Sequence, residues 1–213
     1  MLLSIQVSAL AVLLGSAVGI PAGAALALFS FPGRRALAVA VFTLMGLPPV
    51  LIGVVVYLLL SRYGALGFLD LLFTPWAMTI AQTLLVAPIV TGLTMSAVQA
   101  RESGYRETAL SLGATRLQLA LTMVKEARRG IAAAVAAAFG RAISEVGAVM
   151  LVGGNIEHQT RVMTTAIILE TRKGNYETGL QLGLALLALS FLFNSFMVAG
   201  ALERLQAERK ASR

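Results

Sequence analysis

Five apolar runs, each long enough to cross a lipid bilayer, constrain this chain more than any other feature. They cover Leu2 to Ser30, Ala36 to Leu60, Pro75 to Ala97, Ile131 to Val152 and Thr178 to Leu202. A helix of about 20 apolar residues crosses about 30 Å of hydrocarbon. In lipid the backbone must satisfy its own polar groups, and uninterrupted runs of this length do so as helices. The residues do not alternate as barrel strands would. The expected fold class is therefore an all-α integral membrane protein of about five transmembrane helices, with residues 1–213 forming one transmembrane domain and no internal repeat.

Composition agrees. The chain is 58% hydrophobic and only 13% charged, against about 45–50% and about 25% in soluble domains, and its mean hydropathy is +0.83. The net charge of +7 does not indicate a nucleic-acid partner, because the basic residues lie between apolar runs and not in a stripe with interleaved aromatics. They set orientation instead. Arg34 and Arg35, then Arg101, Arg106, Arg116, Lys125, Arg128 and Arg129, then Arg204, Arg209, Lys210 and Arg213 all fall on one side. Arg62, Arg161, Arg172 and Lys173 fall on the other. The richer side is expected to be cytoplasmic, with the N-terminus outside and the C-terminus in the cytoplasm of a cell (inner) membrane protein. With no cysteine, disulfides and thiolate metal sites are excluded. The apolar N-terminus lacks the basic start and short core of a secretory signal and reads as a retained helix.

Several runs carry helix irregularities: Pro21 after Gly15 and Gly19, the Pro48–Pro49 pair, and Pro88. Each removes a backbone hydrogen bond and can kink its helix. The fourth run is dense in Ala and Gly, which let membrane helices approach closely; it is expected at the bundle centre, with the Leu-rich fifth run facing lipid. Between them, Val162 to Leu169 is apolar but too short to span. It reads either as an interfacial or re-entrant piece, with Thr164 and Thr165 at a pore mouth, or as an ordinary outer loop with some buried residues.

The longest polar interruption, about 102–129, reads as two short helices at the membrane surface. Gly104 to Leu112 forms the first, and Gly113 supplies the left-handed conformation that ends it. Thr115 with Gln118 three residues later fits a capping box. The second helix carries Leu117, Leu121 and Val124 on one face. From the residues alone this is either a coupling projection or a pair of amphipathic helices resting on headgroups.

Glu107, Ala109 and Gly113, with Met123 ten residues beyond Gly113, resemble the Glu-Ala-Ala signature of ABC importer permeases, in which an Ile holds the last position and Leu-Pro follows. Thr108 replaces the middle Ala, and Lys125 and Glu126 stand where Leu-Pro would be. Further on, Gly140 to Ile156 and Thr160 to Glu170 are similar to permeases of tungstate importers and, more loosely, of molybdate importers. The resemblance runs from about Gln6 to Phe193. It implies a type I importer permease whose two-helix loop docks on a separate ATPase, with Glu107, Ala109 and Gly113, flanked by Arg106 and Arg116, as coupling residues. It also implies a twofold homodimer enclosing the pathway and an extracytoplasmic substrate-binding protein. The substrate is then an oxyanion: tungstate first, with molybdate, sulfate or another oxyanion as alternatives. The chain has no G-x-x-x-x-G-K-[ST] phosphate cradle, so ATP and Mg belong on the partner ATPase, and no cofactor, metal or catalytic residue is expected here.

Arg141 lies about 16 Å into the fourth run, near mid-bilayer, where a lone charge costs about 3 kcal/mol. Glu145, four residues on, can pair with it. The pair either faces a water-filled pathway, where Arg141 attracts an oxyanion or locks a gate, or bridges helices or subunits. Asn155 follows the Gly153–Gly154 hinge at the outer mouth, and His158 is expected on the surface. Gln82, Thr91, Thr94 and Gln99 either line the path or hydrogen-bond between helices. An ion-coupled secondary carrier using Glu145 is the alternative class, but it calls for repeated halves with broken helices, and no repeat is found in this sequence.

Overall fold

The computed structural model describes the backbone of residues 1–111 and 113–211, and the side chains of these apart from 102–110, 116 and 196–211. All regular structure among the described residues is helical: α1 (Leu2–Leu28), α2 (Arg34–Met45), α3 (Pro49–Leu60), α4 (Pro75–Ser111), α5 (Arg116–Glu126), α6 (Arg128–Ile143), α7 (Gly147–Gly153), α8 (Met163–Arg172) and α9 (Tyr176–Ala211), with a short 3-10 turn at Gly67–Leu69. Three helices contain stretches long and apolar enough to cross a membrane alone: Leu2–Leu28, Pro75–Arg101 and Tyr176–Ser195. Two bent pairs, α2 with α3 and α6 with α7, raise the number of crossings to as many as five.

The second apolar run is therefore not one straight crossing. α2 ends at Gly46, and α3 leaves it at 99°. The cause is the Pro48–Pro49 pair: neither residue has an N–H to continue the ladder, and a residue preceding proline is pushed out of the α region. Pro48 accordingly sits extended (φ −61°, ψ 124°), with Pro49 opening α3. Pro21 and Pro88, in contrast, lie inside unbroken helices.

α1 and α4 pack side by side in the same direction. Gly15 meets Val86, Gly19 meets Val90, and Gly23 meets Thr91 and Thr94, so the two helices advance in step. A Cβ on Gly23 would come within 2.8 Å of the Thr94 Cβ and closer still to the Thr91 carbonyl. Arg34 closes the end of α1, its Nε and Nη2 donating to the Leu26 and Ala27 carbonyls at 2.6 and 3.1 Å. α6 occupies the bundle centre, as its small residues suggest. Phe139 is buried against Val86 and Val90 of α4 and stacks on Phe193 of α9 at 3.6 Å between centroids. α7 lies against α3, where a Cβ on Gly53 would approach the Ala148 Cα at 2.8 Å. The crossing part of α9 is only 6% buried, leaving Leu180, Leu184, Leu187, Phe191 and Leu192 on the outside.

The first helix of the projection differs from its sequence reading. Gly104 to Ser111 is not a separate helix but the end of α4, which runs unbroken for 37 residues. A lone glycine costs a helix only about 1 kcal/mol, too little for Gly104 to break it. At ~1.5 Å per residue α4 reaches ~55 Å, well beyond a hydrocarbon layer of about 30 Å, so its last turns project past the bundle.

Candidate functional site: a surface projection and a stitched helix break

At the projecting end, Arg106, Glu107, Ala109 and Arg116 lie outside the described side chains. Gly113 is described: it turns the chain at φ +80°, with nothing within 4 Å of where a Cβ would stand. Glycine is favoured there by conformation alone, since left-handed backbone strains residues that carry a Cβ. The capping box forms as expected. Gln118 N–H donates to Thr115 Oγ1 at 3.3 Å, and Thr115 N–H donates to Gln118 Oε1 at 2.8 Å.

Of the apolar face read from sequence, Leu117, Leu121 and Val124, only Val124 packs toward the bundle. Leu119, Met123 and Ala127 pack on Leu26, Ala27, Met95, Val98 and Ile131, while Leu117 and Leu121 stand 68% and 64% exposed. Both stripes have helical spacing, and spacing alone does not say which one meets the bundle. The outward stripe leaves an apolar ridge on the surface of the projection. Met123, at the signature's Ile position, is fully buried and so anchors α5 to the bundle.

The second site lies where α6 meets α7, at a 57° bend. Arg141 Nη1 donates to Glu145 Oε2 at 2.7 Å, the pairing their spacing predicts. Their surroundings are unequal: the Arg141 side chain is 35% exposed and that of Glu145 only 3%. Glu145 does not continue the helix. It lies in the break, and its Oε1 accepts the Ala148 N–H at 3.0 Å, capping the first turn of α7 as a carboxylate favours. Its carbonyl accepts the Thr164 hydroxyl of α8 at 2.9 Å. From α4, Gln82 Nε2 reaches the Ala142 carbonyl at 2.9 Å. One break is thus stitched by side chains from α4, α6 and α8, as buried backbone polar groups require.

The break at Ser144 to Val146 was not foreseen. Its local signal is Ser-Glu ahead of a Gly-Ala run, a capping pattern hidden inside an apolar stretch.

The structure brings Arg141, Glu145 and Thr164 together and leaves Asn155 apart. Thr165 Oγ1 accepts the Val162 N–H at 3.1 Å, and Ser4 Oγ, not singled out from sequence, accepts the Met163 N–H at 2.9 Å. The first turn of α8 is therefore inserted against α1 and the break, and α8 then runs back out to a turn that leads into α9. Asn155 adopts φ +52° in the α7–α8 loop with its Oδ1 buried and unpartnered among the described residues. Thr160, also not singled out, ties that loop to the Gly153 carbonyl and accepts the Ile156 N–H. The His158 side chain is 93% exposed, as expected. The Thr91 hydroxyl bonds the Ala87 carbonyl of its own helix at 2.7 Å, Gln99 is half-buried, and Thr94 Oγ1 is buried with no partner among the described residues. At the α8–α9 turn, the Lys173 ammonium and the Asn175 amide, both at 2.8 Å, hold the Glu170 carboxyl below its ordinary value.

Comparison with known proteins agrees with this architecture. A probable anion ABC transporter permease of Haloferax volcanii is 48% identical over 191 residues, covering 87% of this chain and 82% of that protein. A tungstate uptake system permease of Peptoclostridium acidaminophilum is 44% identical over 193 residues, covering 91% and 85%. A molybdenum transport system permease of Escherichia coli is 27% identical over 219 residues, covering 98% and 94%. Residues 19–203 match the family model described as the binding-protein-dependent transport system inner membrane component. The chain belongs to that family, the membrane-spanning permease subunits of ABC transporters.

Proposed function

We propose that this chain is the permease of an ATP-driven tungstate importer, working as a homodimer with partner ATPases and an extracytoplasmic binding protein. The observation that carries the reading is the 44% identity to a tungstate uptake permease across 91% of the chain. The molybdenum and sulfate relatives stand lower, at 27% and 29%, and so rank second as substrates. Charge placement puts the α5 end in the cytoplasm, with the N-terminus outside.

In this reading Glu107, Ala109 and Gly113, with Arg106 and Arg116 beside them, engage the ATPase. α5 passes to α6 through the single residue Ala127, so displacement of the projection is delivered to the helix that ends at the stitched break. There Arg141, whose side chain is one-third exposed, supplies the cation to which an oxyanion is drawn, while Glu145 keeps it oriented.

The test is uptake by the complex reconstituted with its ATPase and binding protein in liposomes. Tungstate should accumulate only with ATP, and less effectively displaced by molybdate or sulfate than by unlabelled tungstate. Sulfate uptake without tungstate uptake would overturn the substrate, and uptake without ATP would overturn the mechanism. Gly113→Leu should abolish ATPase association while the chain still inserts in the membrane; full coupling in that variant would remove the loop's role.

A further inference from the structure

At the end of the bundle opposite α5, the segment 61–74 joins α3 to α4 and exposes large aromatics. Tyr63 is 99% exposed, Phe68 81% and, at the second residue of α4, Trp76 58%. Tyr176, the first residue of α9, adds a fourth at 69%.

This exposure does not come from a loose loop. Leu66 N–H donates to the Leu59 carbonyl and Phe73 N–H to the Val152 carbonyl, each at 2.9 Å. The Phe73 ring meets Tyr57 edge-on at 6.2 Å and lies over Gly154. Asp70 and Phe73 are held at φ +49° and +62°, conformations uncommon for side chains with a Cβ and retained where the surroundings impose them. The segment is a tightly tied frame that turns Tyr63 and Phe68 outward.

We propose that this frame is an interfacial anchor that seats its aromatic side chains in the headgroup and upper acyl region of the bilayer. Three features select lipid as the partner. Both helices it joins belong to crossings, so the frame continues a surface already in lipid. Between Ser61 and Thr74 the only charges are Arg62 and Asp70, which offers little of the charge complementarity that guides a soluble partner. Tyr and Trp at helix ends, with an apolar ring and a polar tip, are the side chains enriched at membrane–water boundaries. At the opposite end of the bundle the aromatics Phe29 and Phe31 are only 43% and 42% exposed and carry no polar tip, and Arg34, Arg35, Arg101 and Lys125 accompany them.

Trp76 is the single tryptophan of the chain, so its fluorescence reports this surface without a label. The full chain in nanodiscs should show blue-shifted emission that is quenched by phospholipid brominated near the headgroup end of its chains. Bromine at the chain ends, or iodide in the water, should quench much less. Because Trp76 also opens a crossing helix, the deciding probe is Phe68→Trp in a Trp76→Phe background. Shallow-bromine quenching and iodide protection of that probe are expected. If iodide quenches it as readily as free tryptophan and bromolipid leaves it bright, the frame stands in water, open to a soluble partner, and the anchor is refuted. Circular dichroism confirms that each variant keeps its helices.

Discussion

Removing Arg141 should damage the protein more than neutralising Glu145, although the two form one ion pair. The asymmetry follows from burial. Arg141→Leu strands a carboxylate that is 3% exposed, retaining only the Ala148 N–H. Stripping a buried charge of its partner costs about 3–5 kcal/mol. The lower end applies here, about 3 kcal/mol, because one hydrogen bond remains and the Arg141 side chain is only partly buried. Glu145→Gln keeps an acceptor for Ala148 and leaves behind a cation whose side chain is 35% exposed and which the proposed water-filled pathway would solvate. It loses the charged part of one hydrogen bond, about 1 kcal/mol after solvent screening. In the double variant neither charge is stranded, so its cost should fall about 1–2 kcal/mol below the sum of the single costs, as contacting residues show. The assay is SDS-induced unfolding of the purified chain in lipid–detergent micelles, followed by helical circular dichroism. Equal costs for the single variants, or strict additivity in the double, would show that Arg141 does not hold the Glu145 carboxylate.

Gly23→Ala should destabilise the same preparation by about 1–3 kcal/mol through overpacking, because the added carbon meets the Thr91 backbone carbonyl as well as the Thr94 side chain. Gly15→Ala should destabilise less than Gly23→Ala in that unfolding assay: its added carbon meets a methyl of the buried, stiff Val86 at 2.7 Å and no backbone atom closer than 3.4 Å, and part of the cost is offset by the roughly 1 kcal/mol that Ala gains over Gly in a helix. At the α8–α9 turn, the Glu170 carboxyl is held below its ordinary value of 4.5, first by Lys173 and then by Asn175. A carboxyl with a lowered folded-state pKa stabilises above its unfolded value and loses that contribution as pH falls through the folded one. Amide-exchange protection of Lys173 to Asn175 should therefore drop on acidification below about 4.5, and Glu170→Gln should flatten the dependence.

What the sequence showed about this molecule was local. Apolar length gives helices that can cross a membrane, Gly113 gives the left-handed corner, and Thr115 with Gln118 gives the cap, because each property is settled within a few residues. The i, i+4 spacing paired Arg141 with Glu145 for the same reason. Facts that depend on a distant partner were not legible. Gly15 and Gly19 read as irregularities near Pro21, and their use as a packing stripe with Gly23 exists only once α4 lies beside them. Leu117 and Leu121 satisfied the helical period as well as Leu119 and Met123, and only the bundle surface chooses between the stripes.

The break at Ser144 to Val146 was hidden for a sharper reason. An α-helix cannot stop inside an apolar layer unless its freed backbone groups find partners, and here they come from Gln82, about sixty positions earlier, and Thr164, about twenty later. Glu145 looked like half of an ion pair because Arg141 is its near neighbour in sequence. Its carboxylate also caps α7, and its carbonyl receives α8. Displacing α6 along its axis must therefore strain the Arg141 contact, the α7 cap and the α8 contact together. In the transport cycle proposed above, that coupling would let the break act as a discrete joint between the projection at one end of the bundle and the loops at the other.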